Sequence, residues 1–354
     1  MTRLDRYIIR SILELTLICA LALTTIFMFT SFVAELDEID KGRFTLLQLS
    51  GFTLLNAPNG VSTLLPIITM LGTLMGMGNL AMQGELTAIR AAGVSNLRIG
   101  GAALMAGLIL GLFGWVLADR IAPTGYEAAE RMKMVARYGI DAGVSLKPVW
   151  LRDGPNIVRI GRLQSETEVE STTVYTLADD FSLRAITTIE NGRYERDHWV
   201  FQGVVRTEFA GGGARLIRAD RLDWEGGLPP RLLRLFVLEA RSLTADGLMQ
   251  LIEYRKANGL DISEQRVNLW RKFVAPLTVM AMMFFAVPFV FGSLRSSGAG
   301  MRLLVGILVG VAFYVINEVT ASIGLLYHWP PLLAAGLPTM ALGAIGYLRL
   351  RQLR

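Results

Sequence analysis

Side chains able to do chemistry are few in this chain, and none is spaced for catalysis. His198 stands beside Trp199 and His328 beside Trp329, without companion ligands or nucleophiles. Both read as structural residues. No H-E-x-x-H, C-x-x-C or G-x-x-x-x-G-K-[ST] run occurs, so neither a metal nor a nucleotide phosphate finds a recognisable cradle. A G-x-S-x-G elbow is also missing. Cys19 is the only cysteine and lies in an apolar segment, so no internal disulfide can form. What remains is Glu85, the acidic group opening the stretch Gln83-Gly84-Glu85-Leu86-Thr87-Ala88-Ile89-Arg90-Ala91-Ala92-Gly93-Val94-Ser95. That stretch reads as a short helix stopped by Gly93. It has two readings: a helix lying on the membrane surface, or one that seats in a groove of a separate ATPase and moves its neighbours as a rigid unit.

The elements that position Glu85 follow from how the charges are sorted. No Asp, Glu, Lys or Arg occurs from Phe44 to Gln83, Ile99 to Ala118, Phe273 to Leu294, Leu303 to Asn317 or Trp329 to Leu348. An apolar run of about 20 residues crosses the hydrocarbon core as a helix. Six spans are expected: Ser11–Ala34, Val61–Gln83, Ile99–Ala118, Phe273–Leu294, Leu303–Leu326 and Trp329–Leu348. The first is too long for a cleaved signal peptide and reads as a retained helix. Pro66, Pro276 and Pro288 should kink their helices, and Gly72, Gly76 and Gly78 allow close helix contact. Only 18% of the 354 residues are charged, against roughly 25% in soluble domains.

Orientation comes from the short loops. Arg3, Arg6 and Arg10, then Arg90 and Arg98, then Arg295 and Arg302, then Arg349, Arg351 and Arg354 mark one side. The other carries the acidic Glu35, Asp37, Glu38 and Asp40, with only Lys41 and Arg43. The positive-inside rule puts both termini in the cytoplasm and the region between the third and fourth spans outside. The net charge of +5 is these flanking cations rather than a nucleic-acid surface.

Residues 119–272 change character. Leu151–Ile160, Thr172–Leu177, Arg184–Ile189, His198–Arg206, Ala214–Ala219 and Arg231–Leu238 read as short strands with turns such as Asp153-Gly154 and Asn191-Gly192. An antiparallel sandwich or jelly roll is expected. Thr244 would cap a helix to about Ala257, and an amphipathic stretch, Ile262–Lys272, leads into the fourth span. The chain divides into 1–118 (three spans, with the coupling stretch at about 83–95), 119–272 (the β domain and trailing helices) and 273–354 (three more spans).

Several short motifs, in order, resemble the LptF/LptG family of lipopolysaccharide export permeases. They are Leu4-Asp5-Arg6-Tyr7-Ile8, Glu85 through Gly93, Ala122-Pro123 with Gly125, and Asn268-Leu269-Trp270. Phe291-Gly292 with Leu294-Arg295-Ser296, Phe313-Tyr314-Val315 and Pro330-Pro331 complete the set. The opening and the Phe-Gly-x-Leu-Arg-Ser stretch are similar to the LptG branch. The resemblance implies six transmembrane helices with a periplasmic β-jelly roll. It implies a heterodimer with an LptF-like permease on an LptB-like ATPase dimer, with an LptC-like single-helix protein and a periplasmic bridge protein. ATP and magnesium would be bound by the ATPase, with no cofactor in this chain. Glu85, with Leu86, Ile89, Arg90 and Gly93, matches the ATPase-coupling helix, and the first and fifth spans match lateral gates.

Lipopolysaccharide has acyl chains and anionic phosphates, so its cavity needs an apolar wall and a basic rim. Ile18, Leu21, Leu23, Phe27, Phe29 and Phe32 are wall candidates in the first span, and Ile68, Leu71, Met75 and Met77 in the second. Lys41, Arg43, Arg120, Arg131, Lys133 and Arg137 are rim candidates, with surface solvation the competing reading for each. The family's basic residues near the outer end of the first span are replaced here by Ser31, Asp37 and Glu38, with Lys41 and Arg43 in a position to compensate. Glu318 is the deepest acidic group of the fifth span, either bonded to a neighbouring helix or part of a gate. Glu14 should pair with a basic group or a headgroup. The other readings are a different ABC-type lipid or lipoprotein permease, and a membrane-anchored sensor or enzyme with a β ectodomain.

Overall fold

A computed structural model of the chain describes residues 3–39, 43–138, 148–165, 167–210, 213–224, 230–237, 243–292 and 297–352. Its residues form two compact units. One comprises Met1–Leu36, Thr53–Tyr126 and Ser263–Arg354; the other comprises Asp37–Phe52 and Glu127–Ile262.

The first unit carries the membrane helices. They are α1 (Arg3–Ala34), α2 (Leu46–Met82), α4 (Asn96–Val116), α8 (Ser263–Phe291), α9 (Ala299–Leu326) and α10 (Pro331–Gln352). Six helices among the described residues are thus long and apolar enough to cross a membrane. The short α3 (Glu85–Ala91) joins α2 to α4, and α4 runs on through a π-helical turn, Leu117–Ile121, into α5 (Ala122–Tyr138). Helices extend beyond the uncharged runs because charged ends such as Arg3–Arg10 and Ser263–Lys272 remain good helix formers. α2 continues through Pro58 and Pro66, α8 through Pro276 and Pro288, and α10 through Pro338.

α1 lies against α2 along a glycine seam. A Cβ on Gly72 would stand 2.5 Å from the Thr16 Cα, and one on Gly76 would stand 2.9 Å from the Ile12 Cα. Four residues apart, the two glycines share a face and let backbones touch. The main core joins Ile8, Ile9 and Ile12 of α1 to Met70, Leu74 and Met77 of α2, and to α4 and α8.

The second unit contains one antiparallel sheet of six strands in sequence order. They are β1 (Val149–Asp153), β2 (Asn156–Ser165), β3 (Glu168–Leu177), β4 (Leu183–Glu195), β5 (His198–Ala210) and β6 (Gly213–Trp224). The expected β insert is present, but as a meander rather than in the crossed strand order of a jelly roll. Each strand is joined to the next by a few residues, which leaves no connection long enough to cross the sheet.

Two local expectations are corrected. Leu151–Ile160 is a hairpin turning at Gly154-Pro155, where Gly154 takes φ 56°. Arg231–Leu238 falls instead on helix α6 (Pro230–Val237) as far as Val237, and Leu238 lies outside the described residues. Leucine is a helix former, not β-branched, and Pro230 occupies the first helical position, where its missing N–H costs nothing.

Thr244 caps α7 (Ala245–Ala257) by accepting from the Gly247 N–H at 3.1 Å. α7 closes one edge of the sheet. The Tyr254 hydroxyl donates to the Arg152 carbonyl at 2.6 Å and accepts from the Arg152 N–H at 2.8 Å. The Asn258 side-chain oxygen accepts from the Gly154 N–H at 3.0 Å. Burial pushes the Tyr254 phenol above its ordinary pKa. The opposite edge strand, β6, is mostly exposed.

Candidate functional site

The site builds outward from α3. Gly84 precedes it at φ 77° and Gly93 follows at φ 87°, left-handed conformations that glycine takes at no steric cost. The Gly93 N–H donates to the Arg90 carbonyl at 2.9 Å, closing the helix. Leu86, 2% exposed, and the partly buried Ile89 face into the helical core. Thr87, Ala88, Arg90, Ala91 and Ala92 face out. Met82 and Leu97 are exposed apolar residues just before and after this face. Of the five residues expected to carry coupling, Leu86 and Ile89 therefore hold the helix in place, while the outward face consists of Thr87, three alanines and Arg90.

Glu85 and Arg90 tie α3 to its neighbours. The Tyr7 hydroxyl of α1 donates to the Glu85 carboxylate at 2.8 Å. The Arg90 guanidinium lies 5.5 Å from the ring centroid of Phe291, at the end of α8. α3 is thus joined to α1 and α8 as well as to the α2 and α4 it connects.

Arg302 is the largest buried side chain that the sequence reading misplaced. It belongs to the first turn of α9 rather than to a loop, and it is 0% exposed. Its Nε and one terminal nitrogen donate to the Ser297 carbonyl at 3.1 and 3.0 Å, and it touches the Met82 sulfur. The guanidinium fits only because Gly78 lacks a Cβ, which would fall 1.9 Å from Nη1. Arg302 therefore fastens the start of α9 to the end of α2, just before α3.

At the other end of α8, consecutive cations reach in different directions. The Arg271 guanidinium bonds both Glu318 carboxylate oxygens of α9, at 3.3 and 3.2 Å. Glu318 is therefore bonded to a neighbouring helix. Arg271 also lines an opening of about 160 Å³ with Thr63, Pro66, Phe313, Tyr314 and Asn317. Lys272 meets Asp119 of the π turn at 3.1 Å, and their side chains are only 12% and 9% exposed. The extra residue of the π turn belongs to this contact region, as such turns often do where a side chain must be re-aimed. Lys272→Met removes the nearer cation of this buried carboxylate, with Arg120 left at 4.0 Å, and is expected to cost about 1–3 kcal/mol; adding Asp119→Leu should restore most of it. Thermal melts of the two variants in detergent measure the difference.

The wall candidates divide. Ile68 is 0% exposed and packs with Leu71 and Cys19, so it belongs to the α1–α2 core and offers no surface to lipid. Met77 is likewise buried, and Met75 is half-buried against the same cluster. The half-buried Phe27 fills the space above Gly60, and Phe32 is half-buried. Ile18, Leu21 and Phe29 point outward.

Among the rim candidates, Arg43 and Arg131 have exposed side chains, and the Arg43 N–H donates to the Ala136 carbonyl of α5 at 2.8 Å. Lys133 lies 5.4 Å from the Phe52 ring centroid. Lys41 and the Arg137 side chain lie outside the described residues, as do Asp40, Arg295 and Arg354. Arg10 pairs with Glu14 at 2.7 Å, a basic group being one of the two kinds of partner expected for that glutamate.

Arg271, Lys272 and Asp119 were not singled out from sequence. The available signal was a pair of cations directly before an uncharged run, opposite the carboxylates at the ends of two other runs.

The model of the lipopolysaccharide export system permease family LptF/LptG matches residues 6–352. The chain is similar to the lipopolysaccharide export system permease protein LptG of Escherichia coli (strain K12), at 28% identity over 342 residues, 95% of this chain and 94% of that protein. It is similar to the LptG of Haemophilus influenzae, at 30% identity over 341 residues, 95% of each chain. An uncharacterised protein of Rickettsia prowazekii, RP871, matches 121 residues at 28% identity. With six membrane helices, a β insert and a family match across almost its whole length, this chain belongs to the LptF/LptG family of lipopolysaccharide export system permeases.

Proposed function

We propose that this permease subunit extracts lipopolysaccharide from the inner membrane and passes it to a periplasmic bridge protein, driven by a separate ATPase that seats on α3. The observation that supports it best is α3 itself. Its inner face is anchored in the core by Leu86, and its ends are tied to α1 by Glu85 and to α8 by Arg90. A push on its outward face therefore reaches several spans as one body. An LptB-like dimer is the ATPase, binding ATP and magnesium, and this chain supplies no nucleotide site.

Both termini and α3 lie in the cytoplasm and the β domain in the periplasm, by the distribution of short-loop cations. An LptF-like permease and an LptC-like single helix cover the sides of the bundle. α1 and α9 are the least buried spans, 17% and 22% within the chain against 61% for α2 and α8, and both present apolar faces outward. Such faces suit partner helices or acyl chains, which supports lateral gates at α1 and α9. Arg43, Arg131 and Lys133 take phosphate at the rim.

The test is affinity purification of the tagged chain from detergent-solubilised membranes, with mass spectrometry of what accompanies it. An ATPase, a second six-helix permease and lipopolysaccharide are expected together. Purification without any ATPase would overturn the reading.

A further inference from the structure

We infer a second lipid site, apart from the export path, in a cleft between α8 and α10 at the end of the bundle that carries α3. It takes an anionic glycerophospholipid of that leaflet. The cleft holds about 440 Å³, within the size range of ordinary ligand sites. Phe285 and Phe289 of α8 line one side, and their rings form a pair 5.2 Å apart. Ile345, Gly346, Arg349 and Gln352 of α10 line the other. At Gly346 the helices meet, since a Cβ there would stand 3.1 Å from the Phe285 Cα. The cleft lies beside that contact, an apolar slot with a cation at its mouth.

The charge pattern selects the occupant. Arg349 is exposed and makes no ion pair or hydrogen bond among the described residues. No Asp or Glu occurs from Phe273 to Leu294 or from Trp329 to the end of the chain, and Arg351 lies two residues on. Neither segment forming the cleft supplies a carboxylate side chain to pair with the guanidinium. A guanidinium binds phosphate bidentately, and basic pockets between membrane helices on the cytoplasmic side hold anionic headgroups. The phosphate sits on Arg349, and an acyl chain runs over Phe285, Phe289 and Ile345.

The cleft is separate from the opening that Arg271 lines. Gly292, which also lines it, is 21 residues along α8 from Arg271, about 31 Å at the helical rise. The Arg90–Phe291 contact puts it beside α3 instead. A lipid there braces α8 against α10 next to the docking helix.

The test uses the full-length chain with its co-purifying subunits, reconstituted in phosphatidylcholine nanodiscs containing a small fraction of phosphatidylglycerol. Native mass spectrometry reads the phosphatidylglycerol retained. Wild type should keep one molecule through stepwise activation. Arg349→Glu should lower retention about tenfold, Ile345→Trp should lower it by filling the slot, and Arg351→Glu should leave it unchanged. Because Ile345 is exposed, its variant keeps the test sound where Arg349→Glu fails to fold. Wild-type retention in both cleft variants would overturn the site. So would equal loss in Arg351→Glu, release by millimolar inorganic phosphate alone, or no retained lipid in wild type because a partner fills the cleft. Lipopolysaccharide in the same spectra reports on the export reading separately.

Discussion

Glu85→Lys is expected to cut the ATPase activity of the assembled transporter at least tenfold while leaving the permease in the membrane at its normal level. The substitution acts twice. Inside the chain it removes the acceptor of the Tyr7 hydroxyl, an exposed hydrogen bond whose loss is too small to unfold a helix whose Leu86 is buried in the core. Toward the partner it reverses the sign of the acidic group that opens α3. A lost and reversed charge contact at a protein interface costs about 2–5 kcal/mol, and each 1.4 kcal/mol is a factor of ten. Tyr7→Phe separates the two effects, because it breaks the internal bond and leaves the carboxylate in place. It should retain most of the activity. Full ATPase activity in Glu85→Lys would keep the transporter and move the coupling contact elsewhere on the α2–α4 corner.

The largest expected loss of stability comes from Gly72→Leu. A Cβ at this position meets Thr16 Oγ1 at 2.0 Å and the Thr16 Cα at 2.5 Å. Rotating the Thr16 side chain relieves the first contact but not the second, which is backbone. The helices would have to part, and the same seam is held four residues on at Gly76, where a Cβ would stand 2.8 Å from the Ser11 carbonyl oxygen. Overpacking of this kind costs about 1–3 kcal/mol or more, and here no flexible neighbour can yield. α1 should detach from α2, seen as low yield of folded protein and a lower melting temperature in detergent. Gly101→Ala is the matched control. It is also a helical glycine, but a Cβ there meets nothing within 4 Å. The change should be neutral or stabilise by up to about 1 kcal/mol. Equal loss in both variants would show that glycine is needed for flexibility rather than for close approach.

Much of the architecture was legible because membrane helices announce themselves by what they lack. Uncharged runs located five of the six spans and a long apolar segment the first, although the helices extend past them at charged ends such as Ser263–Lys272. The β insert was legible from its alternation, but the hairpin inside Leu151–Ile160 was hidden by a turn of only two residues. Arg231–Leu238 looked extended because apolar residues were dense, and its leucine-over-valine content was the signal passed over. The site was half legible. The bounds of α3 were legible locally, since Glu85 opens it and Gly93 follows it with positive φ. The placement of Arg302 was not, since only the distant Gly78 and Met82 make room for it, and a cation counted as a loop marker proved to be buried. Glu318 likewise gained a meaning only from Arg271, 47 positions away.

The two edges of the β-sheet differ in kind. At β1 the Tyr254 hydroxyl and the Asn258 side chain occupy backbone groups that a neighbouring strand would need, whereas β6 ends the sheet exposed. Strand addition to this sheet is therefore monovalent. A partner strand can extend it at β6, but the first strand offers no second attachment point, so identical copies cannot stack head to tail into a ribbon. Two copies meeting through their sheets could only form a closed two-fold pair. The few side-chain bonds between α7 and the hairpin thus act as a chain terminator at that edge.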